Sequence, residues 1–250
     1  VFSLPLFGLI YLFLKRRPSA PPKWAVLAGV FFAIDIGLWH LALTQTSVAN
    51  ATFLVNIGNV GVGLLAWIFL RERLTIYWAI AISFALTGAY LLSSGAISAT
   101  EGALQGDLLA LLAALFVSGY MLCAKLARLK ATAIDVIFWA TVTEAIVSSI
   151  ICGLLGEPVI PQGIEQLRAP LFLAVVAHVG GQGLIVSGMR TTPAALAGVI
   201  VLIQPVAAAA ISWPLFDERL TTIQIVGAAL ILFGITIAQV RTRKKSVPLA

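Results

Sequence analysis

The chain of 250 residues is 60% hydrophobic and only 10% charged, and its mean hydropathy of +1.04 lies outside the range of soluble globular proteins. A net charge of +6 would suit a nucleic-acid partner, but the basic residues lie at the ends of apolar stretches and form no basic-aromatic patch. Composition therefore predicts an all-α polytopic membrane protein in contact with the lipid bilayer, and argues against a nucleic-acid partner.

Nine apolar stretches predict helices that cross the bilayer, whose hydrocarbon core is about 30 Å thick. In chain order they are 1–14, 24–43, 50–70, 74–94, 107–127, 134–155, 170–188, 194–215 and 221–240. The connections between them are too short for a separate soluble domain. The first stretch is not a signal peptide, because its basic cluster follows the apolar run instead of preceding it.

Basic residues are distributed unequally between the two sides that alternating helices define. If the loop between the first two stretches is cytoplasmic, all of the 16 Lys and Arg except Arg168 and Arg219 lie on the cytoplasmic side. Short cytoplasmic loops are enriched in Lys and Arg. We therefore expect a multi-pass protein of the cell (inner) membrane whose carboxyl terminus is cytoplasmic.

The sequence contains an internal repeat. A shift of 146 positions aligns residues 27–88 with 173–234 without a gap, and it places Glu72-Arg73-Leu74-Thr75 on Glu218-Arg219-Leu220-Thr221. Because five predicted helices separate the two copies, and five is odd, the second copy must enter the membrane from the opposite side. The sequence therefore predicts two inverted repeats, an arrangement found in transporters.

The two copies are unequal in length. Residues 107 to about 146 have no counterpart, because their partners would precede Val1. We expect about one and a half further helices upstream, so that nine of ten transmembrane helices are present here, arranged in two inverted five-helix repeats. The predicted divisions are a first repeat at 1–94 that lacks its first helix and part of the second, an external linker at 95–106, a second repeat at 107–240, and a cytoplasmic basic tail at 241–250.

Short motifs carry a resemblance to a known family. The paired Glu-Arg-Leu-Thr motifs, each followed by a helix with a late glycine, and the segment Gly106-Asp107-Leu-Leu-Ala-Leu-Leu-Ala-Ala-Leu resemble the EamA branch of the drug/metabolite transporter superfamily. The resemblance covers the whole chain. It implies a ten-helix carrier with a central cavity, often an exporter of amino acids or other small metabolites, and thus a small-molecule substrate and an efflux function.

Polar side chains at membrane depth are costly and usually face a protein interior or a wet cavity. Asp35 lies near the middle of the 24–43 stretch, with Trp39 one turn later on the same face. On the repeat-related stretch, His178 and Gln182 lie at the equivalent depth. Two related helices thus bring polar groups to one level, which is the geometry of a midplane binding site.

A second group of polar residues lies on the other related pair of stretches. Asn56 and Asn59 are three residues apart and share a face, while Gln204 corresponds to Gly58. Pro205 removes a backbone donor in mid-span and predicts a kink. The substrate-binding candidates are Asp35, Trp39, Asn56, Asn59, Tyr120, His178, Gln182 and Gln204.

Structural roles compete with these assignments. Asn, Gln and His side chains often hydrogen-bond neighbouring membrane helices, and the deep aromatic rings of Trp39 and Tyr120 suit either packing or stacking on a ligand. Glu72 and Glu218 of the repeated motif lie at membrane edges, and we expect them to shape helix ends instead of contacting substrate.

The absence of a Gly-x-x-x-x-Gly-Lys-Ser/Thr loop argues against ATP-driven transport and favours a secondary carrier that works by alternating access around a midplane cavity between the repeats. For proton coupling the candidates are Asp35 and Glu144, because a low-dielectric site favours the neutral acid. We expect no cofactor, no metal centre and no catalytic residue.

Two other classes of membrane protein remain as alternatives. A membrane-embedded enzyme acting on a lipid-linked substrate would need an acidic or histidine cluster that the sequence lacks. A passive channel would need a ring of like residues or an amphipathic pore stripe, and neither is evident. A homodimer is compatible with the sequence.

Overall fold

The computed structural model describes residues 2–15, 19–93, 103–156, 163–216 and 220–246, and every regular element within these ranges is a helix. The elements are α1 (Leu4–Lys15), α2 (Lys23–Leu43), α3 (Val48–Asn56), α4 (Gly58–Leu70), α5 (Ile76–Ser93), α6 (Ala103–Arg128), α7 (Ala133–Leu155), α8 (Ile164–Leu173), a π-helix (Ala174–Gln182), α9 (Gly183–Gly188), α10 (Ala194–Val201), α11 (Gln204–Phe216) and α12 (Thr222–Ser246). The prediction of an all-α protein is confirmed.

Eight spans within the described ranges are long and apolar enough to cross a membrane, which confirms the polytopic class. Three of these spans contain an interruption in the helix. One span comprises α3 and α4, another comprises α8, the π-helix and α9, and the third comprises α10 and α11. The helix predicted at 1–14 is described as the shorter α1. At 1.5 Å per residue its 12 residues extend about 18 Å, less than the bilayer core.

The helices form two compact units, Val1–Gly37 with Gly119–Thr192 (unit 1) and Leu38–Ser118 with Pro193–Ala250 (unit 2). These units are not the two sequence repeats, because each contains helices from both. The repeat boundaries at 94 and 107 therefore stay predictions. The predicted linker is described only from residue 103, and Glu218-Arg219 of the second repeated motif lies outside the described residues. Helix α12 continues to Ser246, into the predicted tail.

Unit 1 is held by close packing of α2 and α1 on α7. A side chain at Gly29 of α2 would collide with the backbone carbonyl of Ala140, so the two helices touch backbone to backbone. Tyr11 of α1 stacks on Phe138, with ring centroids 4.3 Å apart. The Tyr11 hydroxyl also donates a hydrogen bond to the buried carboxylate of Asp135, at 3.1 Å. The face of α7 that carries Ala140 therefore packs against α2.

In unit 2 the repeat-related helices α5 and α12 pack along their lengths. A Cβ atom at Gly88 would collide with the backbone of Gly227, and one at Gly234 would lie 2.6 Å from the backbone oxygen of Ala81. The shift of 146 residues exchanges these two contacts, so the pair has a local two-fold relation. Residue numbers rise along α5 as they fall along α12. The two copies of this helix therefore run antiparallel, as an inverted repeat requires. We call this contact the glycine crossing.

The other related pair of helices in unit 2 is interrupted at equivalent positions. The chain tightens at Ile57, whose N–H bonds Leu54 O at 3.1 Å, and at Ile203, whose N–H bonds Ile200 O at 3.0 Å. These residues are 146 apart. The kink predicted at Pro205 is found as a break just before this residue. A proline ring clashes with the carbonyl four residues earlier, which here belongs to Val201, and α10 ends at that residue. No proline explains the break at Ile57.

Candidate functional site

Unit 1 contains a polar cluster at membrane depth, formed by α2, α6, α7 and the π-helix. We define it by the side chains Asp35, Tyr120, Thr141, Glu144, His178 and Gln182. Thr141 and Glu144 are three residues apart on α7 and share a face. His178 Nε2 lies 3.4 Å from Glu144 Oε2 and 3.2 Å from Thr141 Oγ1. One imidazole therefore contacts an acid and a hydroxyl of the same helix.

A second contact joins α6 to the π-helix. The Tyr120 hydroxyl donates a hydrogen bond of 2.8 Å to Oε1 of Gln182, and the Tyr120 side chain is buried. Both His178 and Gln182 lie on the π-helix, a rare form that is frequently found at functional sites. Gln182 therefore makes the interhelical hydrogen bond that was the structural alternative to a role in binding. The same contact is compatible with binding of a ligand.

Asp35 is the unusual member of the cluster. It is only 4% exposed, and no described residue donates a hydrogen bond to its Oδ1 atom. Its carboxyl group and that of Glu144 lie close enough to the Tyr120 hydroxyl to interact with it electrostatically. Buried polar atoms are nearly always paired, because an unpaired one has lost its hydration without compensation. An acceptor left open here calls for a proton or a ligand.

Aromatic rings enclose the cluster on the side of α1 and α2. The Phe32 ring lies 4.6 Å from that of Tyr120, with the planes tilted by 32°, and it meets the His178 ring edge-on at 5.9 Å. Phe7 meets the same imidazole edge-on at 5.7 Å. Neither phenylalanine was among the site residues predicted from the sequence. Phe32 could have been found, since it lies three residues before Asp35 on the same helix face.

Four of the predicted site residues belong to unit 2, where their described contacts are structural. Trp39 packs in an apolar cluster with Ala42, Ala51 and Ala110. Asn59 of α4 is buried, and its side chain donates a hydrogen bond of 3.0 Å to the carbonyl of Asn56, the last residue of α3. Gln204 is exposed at the start of α11. Apart from this hydrogen bond to a backbone carbonyl, no described contact joins these residues to one another, so their role in binding stays a prediction.

Comparison with known proteins decides the family. The model of the EamA-like transporter family matches residues 1–94 and 104–239. The chain belongs to the EamA-like transporter family. Its relatives include the uncharacterized transporter YwfM of Bacillus subtilis (strain 168), 28% identical over 227 residues that cover 88% of this chain and 74% of the relative. An uncharacterized transporter of Archaeoglobus fulgidus is 25% identical over 231 residues, covering 90% of this chain and 80% of that one.

The fold is shared with a solved crystal structure of another protein. That structure is 20% identical, has a TM-score of 0.77, and covers 96% of this chain and 86% of its own. EamA-like proteins belong to the drug/metabolite transporter superfamily, so the resemblance noted from the sequence is confirmed. The chain is a multi-pass membrane transporter, and its family implies a small-molecule substrate and a non-enzymatic role.

Several charged residues of this EamA-like transporter hold helix ends. The Glu72 carboxylate accepts the N–H groups of Ala194 and Ala195, at 2.8 and 3.0 Å, and so caps the first turn of α10. The expectation that Glu72 shapes a helix end is confirmed, and its counterpart Glu218 lies outside the described residues. In unit 1, buried Lys125 and Arg128 donate to backbone carbonyls between residues 186 and 192, near the end of α9.

The polar cluster therefore offers two carboxyl groups, an imidazole, a phenol, a hydroxyl and an amide. No group of three metal-ligating side chains occurs among the described residues. These groups can bind a small polar molecule or exchange protons. His178 and Glu144 keep 19% and 16% of their side-chain surface exposed, so described protein atoms do not enclose the cluster completely.

Proposed function

We propose that this EamA-like transporter is a secondary carrier that binds a small metabolite at the polar cluster and moves it across the membrane by alternating access. The observation that carries the proposal is the open, buried acceptor of Asp35 among side chains that already have partners. A site that only stabilised the fold would have no reason to leave one oxygen unpaired.

The position of the cluster supports the same mechanism. Asp35 belongs to the first predicted repeat, whereas His178 and Gln182 belong to the second, and all three lie in unit 1. A site shared by two inverted repeats changes its exposure when one repeat moves against the other. The antiparallel glycine crossing supports the inversion on which this motion depends.

Substrate and direction extend this proposal. We propose an amino acid or a drug-like compound as the substrate and export as the direction, across the inner membrane with the carboxyl terminus in the cytoplasm. The distribution of Lys and Arg along the sequence supports that orientation. Trp39, Asn56, Asn59 and Gln204 are proposed as further substrate contacts on the strength of their depth in the predicted spans.

The test of the function begins with expression in cells and a survey of the amino acids and metabolites that accumulate in the medium. A compound exported above the vector control is then used with the purified protein in proteoliposomes. A carrier shows counterflow, in which unlabelled compound on the far side accelerates uptake of labelled compound. Export without any trans-acceleration would indicate a channel and reject alternating access.

Proton coupling is proposed through Asp35 first and Glu144 second, with His178 as the partner of Glu144. Asp35→Asn should abolish uptake driven by a pH gradient while leaving exchange measured at saturating substrate concentration, because exchange needs no net proton movement. Unchanged dependence of uptake on the gradient in this variant would reject the role of Asp35.

A further inference from the structure

We infer that the polar cluster is a cation site: its substrate carries a protonated amine on an aromatic or similarly apolar body, and Asp35 is the counter-ion. This inference rests on the proposed function, since it takes the polar cluster to be the substrate site. It narrows the proposed substrates to amines without a free carboxylate.

The charge of the cluster is the first support. Asp35 and Glu144 are its two acids, and His178 is its one basic side chain, already in contact with Glu144 and Thr141. Within the described helices that form it, no other basic residue lies at this depth. Lys23 is the first residue of α2, α7 has no Lys or Arg, and Arg168 on α8 is 74% exposed. Among the described side chains of the cluster the acids therefore outnumber the bases, and this balance favours a cation over an anion.

The remaining buried cations of unit 1 are committed to another task. The ammonium group of Lys125 lies 2.6 Å from Met189 O and 2.7 Å from Thr192 O, and Arg128 Nε lies 2.9 Å from Val186 O. These carbonyls lie in the last turn of α9 or shortly after it, where a helix carries partial negative charge. A substrate carboxylate at the polar cluster would thus find no Lys or Arg there to pair with.

The difference between the two acids locates the counter-ion. Glu144 has an imidazole partner at 3.4 Å, whereas the Oδ1 atom of Asp35 has none among the described residues although Asp35 is only 4% exposed. An ammonium group supplies both the opposite charge and N–H donors, and such charge-assisted hydrogen bonds are stronger than neutral ones. Pairing also removes the penalty of an uncompensated buried charge.

The aromatic rings suit the rest of such a molecule. Phe32 and Tyr120 form a tilted pair 4.6 Å apart beside Asp35, and Phe7 and Phe32 both approach the His178 ring. Aromatic faces attract cations within about 6 Å and bury apolar ligand surface. An amine with an aromatic body would use the carboxyl group and the rings together.

An amino acid would fit less well, despite its ammonium group. Its carboxylate would lie within a few ångströms of the ammonium and hence near Asp35 and Glu144, without a cationic side chain to offset the repulsion. Discrimination of this kind arises from an unpaired like charge as much as from an attractive contact. Zwitterions are therefore expected to bind more weakly than the corresponding amines.

Four compounds that share a phenyl ring on a two-carbon chain test the inference: phenethylamine, phenylalanine, 3-phenylpropanoate and 2-phenylethanol. Binding to the purified chain is measured by equilibrium dialysis with labelled phenethylamine and by competition with the others. We expect phenethylamine to bind at least about tenfold more tightly than each of the other three, about 1.4 kcal/mol at 25 °C. Binding of phenylalanine as tight as that of the amine, or no binding of the amine, would overturn the inference.

Variants then test the counter-ion. Asp35→Asn should weaken phenethylamine binding at least about tenfold, since the neutral amide removes the charge while keeping the shape. The control variant is Glu165→Gln. Glu165 is an exposed acid on α8 that pairs with Arg168, so this substitution should leave the affinity for phenethylamine unchanged. Retained affinity in Asp35→Asn would overturn the assignment of Asp35, and the comparison of the four compounds on the unaltered protein stands independently of how that variant folds.

Counterflow separates this inference from the function on which it rests. If proteoliposomes exchange an amino acid or an anion but not phenethylamine, the carrier mechanism stands and the cation site is wrong. If phenethylamine binds in an Asp35-dependent way and no compound shows counterflow, the cation site stands and alternating access is wrong.

Discussion

The glycine crossing in unit 2 and the polar cluster in unit 1 both contain a pair of repeat-related segments, and the two pairs have kept different amounts of their symmetry. In the crossing, Gly88 meets Gly227 and Gly234 meets Ala81, and the repeat shift exchanges these contacts. In the cluster, α2 is a regular helix that carries Asp35, whereas its copy continues through a π-helix that carries His178 and Gln182.

The difference follows from what each pair does. Membrane helices pack tightly where small residues let the backbones approach, and the same small residue works on either side of a two-fold relation. A binding site for an asymmetric molecule, as proposed for the polar cluster, needs different groups on its different sides. Symmetry is therefore retained where the contact is steric and lost where the contact is chemical.

The largest effect is expected at the glycine crossing. Gly88→Ala places a Cβ atom against the Gly227 backbone, with the backbone nitrogen of Ile231 at 2.8 Å as well, so the helices must separate. Overpacking of this kind should lower the free energy of unfolding by about 3 kcal/mol. Thermal unfolding in detergent, followed by circular dichroism, measures the change.

The matched control for this prediction is Gly153→Ala. Gly153 is also helical, but a Cβ atom there meets nothing within 4 Å. Alanine has the higher helix propensity, so this variant should be unchanged or more stable by up to about 1 kcal/mol. Equal melting temperatures for the two variants would mean that the crossing is not a close backbone contact.

Two buried aspartates extend the comparison to unit 1. Asp135 and Asp35 are both 4% exposed, but the Asp135 carboxylate accepts hydrogen bonds from Tyr11, Ser19 and Thr132. Asp135→Asn should therefore cost about 2 kcal/mol of stability, whereas Asp35→Asn should cost none, since no described hydrogen bond to its Oδ1 atom is lost. Unfolding and transport measured on the same preparations test this contrast.

Substitution of a structural aspartate should lower the stability of the protein, whereas substitution of a functional aspartate should abolish transport while the protein stays folded. The outcome that contradicts the contrast is a marked loss of stability in Asp35→Asn with transport retained. Asp35 would then be a structural group whose partner lies outside the described residues.

Much of this fold could be predicted because lipid imposes a simple rule. Each apolar stretch must satisfy its backbone hydrogen bonds within itself, so the predicted spans 24–43 and 134–155 agree with the bounds of α2 and α7 to within one residue. Pro205 marked the break before α11 by a local mechanism. The break at Ile57 has no such residue, and only its relation to Ile203 by the repeat shift points to it.

The site was harder to predict, since depth along a helix does not determine which helices meet. Asp35, Tyr120, His178 and Gln182 were chosen by depth, and the structure brings them together with Glu144 in one unit. Trp39 was chosen by the same reasoning, yet it packs in an apolar cluster of the other unit. The π-helix changes which residues share a face, and neither Pro170 nor Gly180 and Gly181 are specific enough to predict it.

A smaller loss of stability is expected at the helix cap in unit 2. Glu72→Gln keeps one oxygen acceptor but removes the negative charge from the amino-terminal end of α10, where it accepts two N–H groups. A loss of about 1 kcal/mol is expected. Glu165→Gln on α8 breaks an ion pair whose side chains are 74% and 77% exposed, and such surface pairs contribute little. Equal unfolding curves for the two variants would show that the cap does not stabilise α10.

The smallest effect separates shape from hydrogen bonding in the polar cluster. Tyr120→Phe keeps the ring that packs on Phe32 but removes the hydroxyl that donates to Gln182 at 2.8 Å. The loss of stability should be about 0.5 kcal/mol, while the freed Gln182 amide should change the half-saturation concentration for transport by a few fold. Tyr90→Phe is the control, since Tyr90 is 49% exposed and contacts Phe53 edge-on. A transport change of equal size in both variants would place Gln182 outside the binding site, because only one of them alters its hydrogen bond.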